Sequence, residues 1–200
     1  LNASQSTADD ERFIKLHHIT IDYSQISVSN RMEMKNTMDS LIRPHGMVTD
    51  CALQVSDQNA VTPVLTTFGN PVGYYPFYFL ADDLSYDEWF SLLSESSPGF
   101  LPVHHITTPY SSYDALIYSV RWNRDKFFYA TIDVNTIKKA MIASEYMGKV
   151  FMTIENTQGN CLYTDRPNDQ SNFHTVSQKT SSGNLLVSIH IPKTLLRTHM

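Results

Sequence analysis

Between Phe13 and Ile42 the apolar residues return at helical spacing, and beyond Pro44 and Gly46 the dominant period becomes that of short strands. Ile14, Ile21, Val28 and Met32 lie on one side of such a helix, with Ile19 and Ile26 alongside and Met38, Leu41 and Ile42 following. On a 3.6-residue period they form one apolar stripe, and Ser, Thr and Asn take the opposite face. The β-branched run Ile19-Thr20-Ile21 is its weakest point, because such side chains lose rotamer freedom in a helix. Pro44 and Gly46 end it. A rod of this length followed by strands constrains the chain to an α+β architecture in which sheets find cover along the rod.

After the rod, Met47–Val55 and Val61–Phe68 read as short strands separated by the polar turn Ser56-Asp57-Gln58-Asn59. Ser85 and Glu88 have the spacing of a capping box, which starts a helix whose buried face holds Trp89, Leu92 and Leu93. Three strands follow, Leu101–Thr107, Asp114–Trp122 and Lys126–Val134, and then a short helix to Met141. A smaller β unit comes next. Its hairpins turn at Asn156-Thr157-Gln158-Gly159 and at Ser181-Ser182-Gly183-Asn184, and a last helical turn starts after Pro192. These segments divide the chain into an N-terminal helix over 1–45, a larger module over 46–141 and a smaller one over 142–200.

With 42% hydrophobic and 18% charged residues the chain is globular rather than disordered. Fifteen basic against 20 acidic residues leave a net charge of -5, and no basic run exceeds Lys138-Lys139. A nucleic-acid partner is excluded on that ground, since phosphate recognition needs a basic face. No stretch approaches the roughly 18 apolar residues of a membrane span, and no basic-then-apolar leader opens the chain. Opening on Leu1-Asn2-Ala3-Ser4, the sequence reads as a cytosolic chain or as a piece from between two spans. Cys51 and Cys161 match no metal spacing and read as free, buried thiols, with a disulfide as the alternative in an oxidising compartment.

Catalytic and metal motifs are missing. There is no phosphate loop, no dinucleotide fingerprint, no nucleophile elbow and no HExxH. His104 and His105 fall on a strand, where neighbours face opposite sides and cannot chelate one ion together. His17 and His18 diverge on a helix, and Asp9-Asp10 and Asp82-Asp83 read as solvated loop charges. The expectation is a domain that is not an enzyme, with no catalytic residue, no metal and no cofactor.

The order of elements resembles the double Cache (PAS-like) extracytoplasmic sensor domains of bacterial transmembrane receptors. Three patterns carry the resemblance: Trp89-Phe90 early on the mid-chain helix with Pro109-Tyr110 after a strand; Phe128-Tyr129-Ala130-Thr131-Ile132-Asp133-Val134 before Ile137; and the hairpin at Asn156–Gly159 with the exit from Gly183 to Ile191-Pro192. The match spans nearly the whole chain. It implies a long N-terminal helix with two PAS-like antiparallel-sheet modules, the larger one distal to the membrane. It also implies tethering through spans outside this sequence, on the extracytoplasmic side of a bacterial membrane. The output module would be a histidine kinase, a chemoreceptor or a membrane-bound transcription regulator.

In that family a small ligand sits in the distal module. Carried over by residue, Trp89 would wall the pocket, Tyr110 would hydrogen-bond and Asp133 would point in from the closing strand. An ionised Asp between aromatic walls suits a cationic group. The amino-acid-binding subset carries an arginine two positions before the tryptophan and a tyrosine after it, whereas this chain has Asp87 and Phe90 there. The α-carboxylate partner is therefore missing unless Arg121 faces the pocket, and ordinary amino acids are not expected through that pattern. Each residue also has a plainer reading: Trp89 as core, Tyr110 as surface loop, and Asp133 as the cap of the following helix, a job for which Asn135 competes. The long helix has apolar positions to spare for a homodimer. The alternatives are a structural or adhesion domain on the same scaffold without a small ligand, or a cytosolic enzyme or PAS-type regulator.

Overall fold

The computed structural model describes residues 47–56, 59–61, 80–95, 98–108, 111–121, 127–168, 172–180 and 184–197, together with 32, 33, 36–38 and 40. Most of the opening rod lies outside the described residues. Those of it that are described are helical, and Met38 is fully buried.

Ten strands form two antiparallel sheets. The first has six: β1 (Val48–Ser56), β2 (Asn59–Val61), β3 (Leu80–Ala81), β4 (Gly99–Thr107), β5 (Ser112–Arg121) and β6 (Phe127–Asp133), in the order β2-β1-β6-β5-β4-β3. The second has four: β7 (Phe151–Asn156), β8 (Cys161–Thr164), β9 (Phe173–Lys179) and β10 (Leu185–Pro192), in the order β8-β7-β10-β9. Beyond the rod, α1 (Tyr86–Glu95) lies between β3 and β4, α2 (Val134–Met141) between the two sheets, and the short α3 (Lys193–Arg197) after β10. The two hairpins expected in the smaller unit are both present, and β7 pairs with β10 to join them at the centre of the sheet. The larger sheet has one strand more than the five read from the sequence. Two of the six, β2 and β3, are short edge strands, and β2 covers only Asn59–Val61 of the region from Ser56 to Phe68. Residues 62–68 lie outside the described residues.

Local chemistry explains the boundaries. Ser85 Oγ faces the Glu88 N–H at 3.4 Å while the Glu88 carboxylate accepts from the Ser85 N–H at 2.8 Å, so the capping box starts α1. These bonds hold the Glu88 carboxyl below its usual range. Exposed Pro102 has no N–H to give the ladder, and the β4–β5 register shifts between Leu101 and His104. Gly159 sits at φ 80° in the β7–β8 turn, a conformation that favours glycine, and the Asn156 side chain accepts from the N–H groups of Gln158 and Asn160.

Two hydrophobic clusters divide the interior. On one face of the larger sheet, Ala52, Leu101, Ile106, Tyr113, Ala115, Ile117 and Tyr129 pack against Trp89 and Leu93 of α1. On the other face, Leu116 joins Val134 and Ile137 of α2 and Met152, Ile154, Leu185 and Val187 of the smaller sheet. Odd positions of β5 therefore serve the first cluster and Leu116 the second, as a strand period of two requires. A clasp fastens α2 to the second sheet: the Lys138 ammonium pairs with the Asp165 carboxylate, whose other oxygen accepts from the Met152 N–H. Both cysteines are free, but Cys161 is exposed rather than buried. It lies on edge strand β8, where an outward position costs a small thiol little.

His190 is buried in the middle of the second sheet with a threonine hydroxyl on each ring nitrogen, Thr153 on Nε2 and Thr175 on Nδ1, both at 2.9 Å. Burial, helped by the Arg166 charge, pushes its pKa down. The folded protein thus resists a proton that the unfolded chain takes up near its ordinary value of about 6.5. Stability should be complete above that value and fall as the pH drops through the lowered one. The His190 contribution, read as the urea midpoint of the wild type less that of His190→Gln so that groups common to both cancel, should shrink between about pH 7 and pH 5. A slope unchanged by that substitution would contradict the assignment.

Candidate functional site

The face of the larger sheet that α1 covers does not stay apolar. Cross-strand pairing puts Asp50 of β1 beside Thr131 of β6, and Thr131 beside Ile117 of β5. One row along, Ala52, Tyr129 and Ser119 are neighbours; one row the other way, Asp133 pairs with Ala115, and Ala115 with His104. Paired residues share a face, so Asp50, Thr131 and Asp133 stand on the side that carries Trp89 and Tyr129.

The polar groups here are hydrogen-bonded in a fixed direction. The Thr131 hydroxyl donates to the Asp50 carbonyl at 3.3 Å, which uses its only proton. The Tyr113 hydroxyl, 3.1 Å from Thr131 Oγ1, therefore donates to it and keeps its own lone pairs. Burial pushes the Tyr113 phenol up to about 12, and the charges of Asp50 and Asp133 act in the same direction. The Asp50 carboxylate accepts from the Cys51 N–H at 2.8 Å, and among the described residues no ion pair reaches it. Burial raises its pKa to about 6 against that hydrogen bond. With that pKa the group is mostly ionised at neutral pH, and on a face shared with Trp89 and Tyr129 it is an acceptor for a cation and a poor one for an anion.

Of the four residues expected at a binding site, Trp89 and Asp133 lie on this face. Trp89 is 3% exposed and stands edge-on to Tyr129 with centroids 5.5 Å apart, so it belongs to the core as well as to the wall of the polar patch. Asp133 is the N-cap of α2, accepting from the Asn135 N–H at 2.8 Å, while its own N–H donates to Thr49 Oγ1. That leaves Asn135 inside the helix, which starts at Val134. Arg121 ends β5, exposed, four residues beyond Ile117, which places it roughly 13 Å along the strand from the Thr131 row. It is not part of the patch. Tyr110 lies outside the described residues.

Asp50, Tyr113 and Thr131 were not singled out by the sequence reading. One signal was present: Asp50 interrupts the strand Val48-Thr49-Asp50-Cys51-Ala52-Leu53, and a charge inside an otherwise inward-facing run needs a reason. Tyr113 and Thr131 have no such mark, because both are ordinary strand residues.

A second polar string sits on the opposite face. His105 Nδ1 is 2.8 Å from Asp114 Oδ1 and Nε2 is 2.6 Å from Ser112 Oγ. The Asp114 hydrogen bond raises the His105 pKa. The order of groups is that of an acyl-transfer triad, but the Asp82 carboxylate stands 3.8 Å from the same Nε2. Negative charge there opposes the oxyanion such chemistry must build. The string is better suited to holding a charged surface imidazole. Among the described residues no cluster of three or more His, Cys, Asp or Glu is placed to hold a metal ion.

No family profile matches the sequence, and no curated protein matches it either. Solved structures do match. The extracellular domain of vpHK1S-Z8, named as a candidate histidine kinase, superimposes with a TM-score of 0.51 at 10% identity, covering 97% of this chain and 88% of that one. The extracellular domain of a second such protein, rpHK1S-Z16, gives 0.46 at 12% identity over 98% and 89%. The ligand-binding domain of the Pseudomonas aeruginosa PAO1 amino-acid chemoreceptor PctC, solved with GABA, gives 0.41 at 9% identity over 94% of each chain. The first of these carries the fold assignment: the chain shares the fold of the vpHK1S-Z8 domain, in agreement with the double Cache resemblance. Among the described residues no helix is long and apolar enough to cross a membrane.

Proposed function

We propose that this chain is the extracytoplasmic sensing domain of a membrane receptor and that its larger module binds a small cationic molecule, an amine or quaternary ammonium, over the patch of Asp50, Tyr113, Thr131 and Asp133. The observation that carries the reading is the half-buried Asp50 carboxyl, on the sheet face that also carries Tyr129 and Trp89, with no ion pair among the described residues. A site of this kind is costly to fold around and gains when a cation arrives. Asp133 adds a second negative group on the same face, and Tyr113 offers lone pairs to an N–H donor. Trp89 and Tyr129 supply the ring surface.

The parent protein would be a histidine kinase, a chemoreceptor or a membrane-bound regulator, tethered by spans on either side, with the module over 46–141 distal to the membrane and that over 142–200 proximal. The segment over 1–45 would carry the signal and would pair with a second copy. The reading is tested by isothermal titration with putrescine and choline as cationic probes and with acetate and lactate as anionic ones. Micromolar to low-millimolar binding of at least one cation, with none for the anions, is the expected result. Binding of the anions alone would overturn it.

A further inference from the structure

We propose that the smaller module holds a second, separate binding site, a cavity for a neutral apolar small molecule, between α3 and the second sheet. The cavity has a volume of about 310 Å³. Four parts of the chain converge on it: the end of α2 through Met141, the 3₁₀ turn Ser144–Tyr146 through Tyr146, β10 through Ile189 and Ile191, and α3 through Leu195 and Leu196. It lies at the edge of the second hydrophobic cluster, to which Ile189 also belongs.

The lining decides the chemistry of the ligand. It contains no Asp, Glu, Lys, Arg or His. A charged molecule would lose its hydration there with nothing to replace it, at a cost of several kcal/mol at least. The one side-chain hydroxyl on the wall is that of half-buried Tyr146, which allows a single polar end such as an alcohol or amide. Size narrows the class further. An apolar cavity of roughly 150 Å³ holds benzene, so twice that space fits a two-ring compound or a chain of about ten carbons. A concave, partly open wall built from four segments suits a small molecule, whereas a protein partner needs a wider and flatter surface.

The mouth points the same way. Met141 and Leu196, both on the lining, are 41% and 40% exposed, among the few large apolar side chains of the described residues left in water. An apolar ligand would bury them together with the interior wall. It would also touch α2 and α3 at once, joining the helix that leaves the first sheet to the helix that follows the second.

The test uses the whole chain and N-phenyl-1-naphthylamine, a neutral two-ring-system probe whose fluorescence rises in apolar surroundings. The expected result is saturable enhancement at one probe per chain, displaced by 1-decanol and at least tenfold less by decanoate. Ile189→Trp, which fills the cavity from β10, should abolish the enhancement. Leu196→Asp, an exposed change on the rim, should weaken binding at least tenfold with the circular dichroism spectrum unchanged, so the test stands even where the Trp variant folds poorly. Asp50→Asn should leave probe binding intact, which separates this site from the cation site. An absent signal would overturn the proposal, as a cavity already sealed by the chain's own residues would produce. So would an enhancement that neither cavity variant changes.

Discussion

Replacing Asp50 with Asn is expected to raise the melting temperature of the domain at pH 8 and, in the same variant, to remove binding of cationic ligands. The carboxyl titrates near 3.8 when unfolded and at about 6 when folded, because burial disfavours its charge. As the pH rises from about 4, the unfolded chain gives up its proton first, and the native state is penalised progressively until the folded group has ionised as well. Above about pH 6 the penalty is constant, of order 2–3 kcal/mol. An amide of the same shape carries no charge to bury, so the variant should gain about that much at pH 8, roughly 5–10 °C for a chain of this size. The gain should vanish below about pH 3, where both states of the wild type are protonated. A cation stabilises the ionised carboxylate, so the wild type's ligand-induced melting shift should grow between about pH 5 and pH 7. A variant that melts lower than the wild type at pH 8, or that still binds amines as tightly, would remove Asp50 from the site.

Trp89→Ala should cost about 3–5 kcal/mol, a large share of the roughly 5–15 kcal/mol by which a domain is ordinarily stable. Trp89 reaches from α1 into the cluster that includes Leu93, Ile106 and Tyr129, and its loss leaves a cavity the size of an indole. The edge-on contact with Tyr129 goes with it. Trp89→Phe keeps an aromatic ring in place and should cost much less. It should still lower affinity for a quaternary ammonium several-fold, because indole is the best of the aromatic faces for a cation. Chemical denaturation reads the first effect and calorimetry the second. A Phe variant that binds choline as well as the wild type would make Trp89 a core residue alone.

The parts of this molecule legible in its sequence are those governed by local rules. Strands β4 to β10 could be placed within two residues or so because each alternates in hydrophobicity and ends at Gly, Asn, Ser or Pro. The start of α1 followed from Ser85 and Glu88, since a capping box acts within four residues. What local rules do not contain is register. The pairing of Asp50 with Thr131 joins residues 81 positions apart, and only the assembled sheet brings them to one face. Asp133 shows the same gap from the other side: its place at the end of a strand was visible, while its service as cap to α2 depends on where that helix starts, one residue before Asn135. Arg121 is a candidate by residue type, and the structure sets it at the end of β5, away from the Thr131 row.

The short helix α2 has a consequence of its own. Eight residues make a rod of about 12 Å, two turns with little room to flex. Its first turn hangs from Asp133 at the cation patch, Lys138 in its middle is bolted to Asp165 just beyond β8, and Met141 at its far end forms part of the apolar cavity wall. A strut held at three points transmits displacement instead of absorbing it. Occupancy at either end should therefore alter affinity at the other, and by the same factor in both directions.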